Sequence, residues 1–225
     1  MIFRINLDGT ESLLHVFTGN DGFVPTSPLV MDPAGNLYGT TAGGGSHGWG
    51  TVFALDALGQ ETVLYNFTGG YDGQNPVAGL IRDAEGNLYG MTSFGGLPSS
   101  ACGQNGGLSC GTAFRISASG VFHVLYQFSG GTDGGNSYSG LIFGKGGLYG
   151  TTLYGGNLAC NPPHGCGTVF QITGTGQKKV IHAFAGHWDG SFPEGNLLQD
   201  KAGNIYGTTS AGGTKGKGIV FKIKP

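Results

Sequence analysis

The chain has 225 residues, of which 48 are glycine and 9 proline, and its 11 Lys and Arg against 13 Asp and Glu give a formal net charge of −2. A charged fraction of 11% with no basic stripe argues against nucleic acid and anionic membrane surfaces as partners, and no apolar run approaches the roughly 18 residues that span a bilayer. Glycine and proline together border on low complexity, but the aromatic residues (14 Phe, 9 Tyr, 2 Trp) recur at fixed positions and need burial, which argues against disorder.

Met1 leads directly into "IFRINLDG", with no visible signal peptide; so abrupt a start is expected of a processed, truncated or recombinant fragment. This first stretch centres on Phe3. A second, "LLHVF", ends at Phe17; an apolar "PLV" follows around Leu29, then "NLYGTT" around Tyr38. The four kinds then return in the same order. The Phe3 kind reappears at Phe53, Phe114, Phe170 and Phe221, the Phe17 kind at Phe67, Phe128 and Phe184, the Leu29 kind at Leu80, Leu141 and Leu197, and the Tyr38 kind at Tyr89, Tyr149 and Tyr206. From each Phe of the first kind to the next Tyr the spacing is 35, 36, 35 and 36 residues; from that Tyr to the following Phe it is 15, 25, 21 and 15. One loop per repeat varies and the rest is rigid.

Each stretch is short, rich in β-branched and aromatic residues and bounded by Gly, Asp or Asn, which predicts strands. Helices are disfavoured because interior glycines cost roughly 1 kcal/mol each. Tight turns in "LVMDPAGNLYG" and "FALDALGQETVL" predict antiparallel hairpins. Four strands per repeat of about 50 residues is the unit of a β-propeller blade, with a β-sandwich or solenoid as the alternative. The expected fold is therefore an all-β propeller forming one domain over residues 1–225. Its repeats run approximately over 2–50, 51–111, 112–167 and 168–218, with a final strand at 219–225. Five strands of the first kind and four of each other make seventeen, one more than four blades need. The ends are expected to close a four-bladed ring within one chain or, head to tail between two chains, an eight-bladed ring; the homodimer is slightly favoured.

"GTVFALD", "NFTGGYDG" and "GNLYGMTSFGG", with a Cys-bearing loop before "CGTVF", resemble the GloVer tandem-repeat proteins of bacteria over essentially the whole chain. The resemblance implies secreted or surface-anchored propeller repeats and no settled activity.

Alternating strand direction places the longer links and the variable loops on one face, where a scaffold usually carries function. Each longer link holds an Asp-Gly: Asp21, Asp72, Asp133 and Asp189. Two readings stand: a ring of carboxylates at the channel mouth holding Ca²⁺ or another divalent cation, or four Asx-turns, the second favoured by its repetition. Departures from the repeat point to chemistry. Glu194 and His187, in "GHWDGSFPEG", are candidates for an acid/base pair or for an ordinary solvated loop. His15 and His182 replace Tyr65 and Tyr126 within a strand and are expected to pack; His47 lies on a variable loop beside Trp49. Trp49, Tyr71, Phe94, Tyr154 and Trp188 are candidate ligand-stacking residues. The sequence has no P-loop, dinucleotide fingerprint, H-E-x-x-H or nucleophile elbow.

All four cysteines fall in the two longest variable loops, as Cys102/Cys110 and Cys160/Cys166. They predict one disulfide in each loop on the Asp-Gly face, and an oxidising, extracellular or cell-surface setting. A zinc site including His164 is the alternative. The leading functional expectation is an extracellular module binding a glycan, protein or small molecule. The alternative is a metal-dependent hydrolase of lactones or phosphotriesters, by fold analogy.

Overall fold

The computed structural model describes residues 1–102 and 109–225. Among these residues are seventeen strands, falling in the order that the repeat predicts. The chain opens with β1 (Ile2–Ile5) and β2 (Glu11–His15), an antiparallel pair that forms its own sheet. Three four-stranded antiparallel sheets follow. The first is β3 (Val30–Met31), β4 (Leu37–Thr41), β5 (Thr51–Leu55) and β6 (Glu61–Asn66). The second is β7 (Ile81–Arg82), β8 (Leu88–Met91), β9 (Thr112–Ile116) and β10 (Phe122–Gln127). The third is β11 (Ile142–Gly144), β12 (Gly147–Thr152), β13 (Thr168–Ile172) and β14 (Lys178–Ala183). A three-stranded sheet of β15 (Leu198–Gln199), β16 (Ile205–Thr208) and β17 (Val220–Ile223) ends the chain. The fold is all-β and propeller-like: three complete blades flanked by two incomplete ones.

Local chemistry fixes the hairpins. In "DPAGNLY" the Asp32 carboxylate accepts bonds from the Ala34 and Asn36 backbone N–H, the Asn36 side chain and the Tyr38 hydroxyl. Asp200 repeats this arrangement with Asn204 and Tyr206, and the Asn204 side chain leads the bonds that lower its carboxyl to about 2. Glycine in "LYG" has a packing reason. A Cβ on Gly90 would lie 2.5 Å from Phe114 Cζ and 2.7 Å from Leu80 Cδ2, so only glycine lets the third-strand phenyl pass under its neighbour.

Between blades one contact recurs. The Phe closing each fourth strand meets, edge to face, the third-strand Phe of the next blade, as Phe17–Phe53, Phe67–Phe114, Phe128–Phe170 and Phe184–Phe221, with centroids 5.1–5.3 Å apart. The first strands converge side by side, with Gly140 N–H bonded to Asn196 Oδ1 and a Cβ at Gly140 only 3.3 Å from the Gly79 carbonyl oxygen. That crowding accounts for first strands of two or three residues.

The two ends do not build a fourth blade together. No strand pairing joins β1–β2 to β15–β17 among the described residues. The two sheets hold five strands for four places, because β1 and β17 are both third strands. Phe3 is accordingly 51% exposed, whereas Phe53, Phe114 and Phe170 are fully buried.

Candidate functional site

Each longer link is fastened by its aspartate. Asp21 accepts from the Thr18 and Gly19 backbone N–H, Asp72 from Thr68, Asp133 from Ser129 and Asp189 from Ala185. The glycine that follows has positive φ every time: Gly22, Gly73, Gly134 and Gly190. Each carboxylate is also bonded by the fourth-strand residue of its own repeat: His15, Tyr65, Tyr126 and His182. The rings of those residues pack edge-on against the next aromatic, His15 on Phe17 and His182 on Phe184, as Tyr65 does on Phe67. The two histidines therefore pack as expected, and in addition hydrogen-bond to a carboxylate, which the sequence reading did not foresee.

Among the described residues, one group of three His, Cys, Asp or Glu side chains comes together: His15, Asp21 and Glu61, with ligand atoms within 4.8 Å of one another. Of the four Asp-Gly carboxylates only Asp21 belongs to such a group. Asp72 and Asp189 serve their own links, and Asp133 in addition binds a lysine of the next repeat.

His187 opens a 3-10 turn, His187–Asp189, in the left-handed region at φ 46°, and is exposed. Its carbonyl accepts the Gly213 N–H. Glu194 is exposed too, and its charge adds to burial and to Tyr154 in raising the Tyr138 hydroxyl above its ordinary value. The imidazole of His187 and the carboxylate of Glu194 share no hydrogen bond. Trp188 is 76% and Tyr71 65% exposed, at the same place in the fourth and second Asp-Gly links. Trp49, 43% exposed, lies across Gly69, where a Cβ would meet its Cδ1 at 2.6 Å. Phe94 and Tyr154 are half-buried at equivalent places, Phe94 bridging to Gln74 and Tyr154 set against Phe192 with centroids 5.9 Å apart.

The four cysteines form Cys102–Cys110 and Cys160–Cys166, each within one variable loop. The first pair packs against Gly130 and Gly135 of the Asp133 link, the second against Gly186 of the Asp189 link, so both staples lie on the Asp-Gly face. With the sulfurs paired, no thiolate is left for the zinc alternative. Disulfides persist in oxidising compartments. No helix of the described residues is long and apolar enough to cross a membrane.

The residues that the sequence reading missed lie at the start of the fourth strands. Glu61, Phe122 and Lys178 hold one repeat position and face the carboxylate or aromatic ring of the preceding repeat. Phe122 stacks on Tyr65 at 3.8 Å. Lys178, its side chain 2% exposed, places Nζ 2.7 Å from Asp133 Oδ1 and also donates to the Asp133 carbonyl. Their signal was available: one strand position taking a carboxylate, a phenyl and an ammonium in repeats of otherwise matching strand order.

The family model described as "Gloeobacter/Verrucomicrobia repeat" matches residues 1–221. No curated protein matches the chain. Among solved structures, a gluconolactonase from Xanthomonas campestris superposes with a TM-score of 0.54 at 16% identity, over 99% of this chain and 68% of that one. A candidate gluconolactonase gives 0.52 at 13% identity, over 99% and 70%. A luciferin-regenerating enzyme gives 0.50 at 14%, over 90% and 62%. At these identities the likeness is one of fold.

Proposed function

The chain belongs to the Gloeobacter/Verrucomicrobia repeat family, and from that premise we propose that it is an extracellular binding module whose Asp-Gly face holds a glycan. One observation carries the reading: Trp188 and Tyr71 stand 76% and 65% exposed on links fastened by Asp189 and Asp72, the Trp188 link being packed in addition by the Cys160–Cys166 disulfide. An indole kept in water on a fastened link loses little freedom when a sugar ring stacks on it. The alternative reading, a metal-dependent hydrolase, draws on the gluconolactonase-like fold; among the described residues His187 and Glu194 share no hydrogen bond, and Asp21 alone of the Asp-Gly carboxylates falls in a group of three potential metal ligands. A glycan-array screen followed by tryptophan-fluorescence titration tests the proposal. A saturable change is expected, with Trp188→Ala weakening binding about tenfold, or ~1.4 kcal/mol. Absence of binding to any glycan, or full affinity retained by Trp188→Ala, overturns it.

We propose further that a second copy completes the ring, head to tail. Every internal seam covers a third-strand Phe with the Phe of a preceding blade; Phe3 lacks that cover, and β17 presents an edge with no fourth strand. Light scattering at micromolar concentration is expected to give twice the 23.0 kDa chain mass; the single-chain mass rules the dimer out.

A further inference from the structure

We propose that His15, Asp21 and Glu61 form a binding site for one divalent transition-metal ion of the Zn²⁺ class, clamping β1–β2 to the first complete blade. His15 ends β2 and Asp21 lies in the link beyond it, while Glu61 begins β6 on the next blade. An ion held by all three would tie an edge strand of one sheet to an edge strand of its neighbour.

Three observations carry the site. First, the donors are already assembled: His15 Nε2 lies 2.9 Å from Asp21 Oδ2, and one ligand atom from each of the three residues falls within 4.8 Å of the others. Donors around a single Zn²⁺, each about 2.0–2.2 Å from the ion, sit a little over 3 Å apart, so small side-chain adjustments suffice. Second, Glu61 Oε1 is shut off from solvent with no hydrogen-bond partner. A buried carboxylate oxygen without a donor carries its whole desolvation cost, which a cation would offset. Third, the equivalent seam two blades on already holds a cation. There Lys178 stands where Glu61 stands, and its ammonium is seated on Asp133 beside Tyr126. The first seam replaces that tethered ammonium with a second carboxylate and the tyrosine with an imidazole. It thus keeps the acidic pocket, removes the built-in positive charge and adds a nitrogen ligand. One imidazole with two carboxylates suits Zn²⁺ or Mn²⁺ better than Ca²⁺, which takes oxygen ligands.

Isothermal titration of chelator-stripped protein with Zn²⁺ at pH 7 tests this, together with thermal unfolding. The expected result is one equivalent per chain, not displaced by tenfold Ca²⁺. At Zn²⁺ a hundredfold above Kd the folded-to-unfolded ratio should rise about a hundredfold. Glu61→Gln should weaken binding at least tenfold. Glu61→Lys supplies the control for folding and for chance binding at other histidines: it copies the Lys178 seam, and should abolish the site while keeping the metal-free unfolding midpoint at or above that of the parent. No binding up to millimolar Zn²⁺, displacement by Ca²⁺, or an undiminished equivalent in folded Glu61→Lys would overturn the assignment.

Discussion

Phe114→Ala is expected to destabilise the fold by about 3–5 kcal/mol, the usual loss for emptying a phenyl site in a close-packed core. Phe114 is fully buried, meets Phe67 edge-on at 5.3 Å and Phe122 face-on at 5.5 Å, and fills the space beneath Gly90. Phe3→Ala removes the same residue from the same repeat position, but one already half in water. Its cost should stay below about 1 kcal/mol where the chain is monomeric, since the transfer term scales with the area withdrawn from solvent. Urea unfolding of both variants under those conditions is the comparison. Equal losses would show that the edge at β1 is covered after all.

The second large effect concerns the seam ion pair. Asp133→Ala is expected to cost about 3–5 kcal/mol, because it strands the Lys178 ammonium in a nearly closed site. Double replacement, Asp133→Asn with Lys178→Met, should recover most of that loss, as apolar or neutral pairs often substitute for buried ions. The same pair sets an acid limit. Burial alone would raise the Asp133 carboxyl, but bonds from Lys178, Ser129 and Tyr126 outweigh it and hold the group below the ordinary carboxylate value. A depressed folded value means that the unfolded chain binds the proton more readily. The stabilisation is thus complete above the unfolded value, about 3.9, and drains away as pH falls through the folded one. Unfolding midpoints of the parent should therefore fall between pH 5 and 3 more steeply than those of the double variant. Parallel curves would remove Asp133 as the titrating group.

The architecture was legible because the repeat speaks five times over. Each Phe of the series Phe3 to Phe170 stands 35 or 36 residues before a Tyr of the series Tyr38 to Tyr206, and both disulfides follow from where the insertions fall. What the residues did together was harder to read. Asp21 and its equivalents are alike in the sequence, and only the structure shows that one of them gains a glutamate from the next blade and another a lysine. Such neighbours come from the stacking of blades, about 40 to 45 residues away along the chain, and no local pattern encodes them. His187 and Glu194 stand out as departures from the repeat, yet loop geometry leaves them without a shared bond. Glu61 and Lys178 are departures of the same kind, at a strand position where variation is easily taken for surface freedom.

The seam position also bears on how the chain finds its order. Repeats that share their core residues offer one another interchangeable docking faces, and a nascent chain of such modules risks joining the wrong pair. Phenylalanine against phenylalanine does not tell first neighbour from third. Glu61 set against Asp133 and Tyr126 would bury two carboxylates without the His15 imidazole that stands beside Asp21 at its own joint, and would displace the ammonium of Lys178 from Asp133. The first and third joints thus differ in charge and the second is filled by the Phe122 ring, so a shuffle that brings Glu61 to Asp133 is penalised at the joint while its core packs unchanged. The two charged side chains that look like irregularities in a monotonous sequence, Glu61 and Lys178, act as its page numbers.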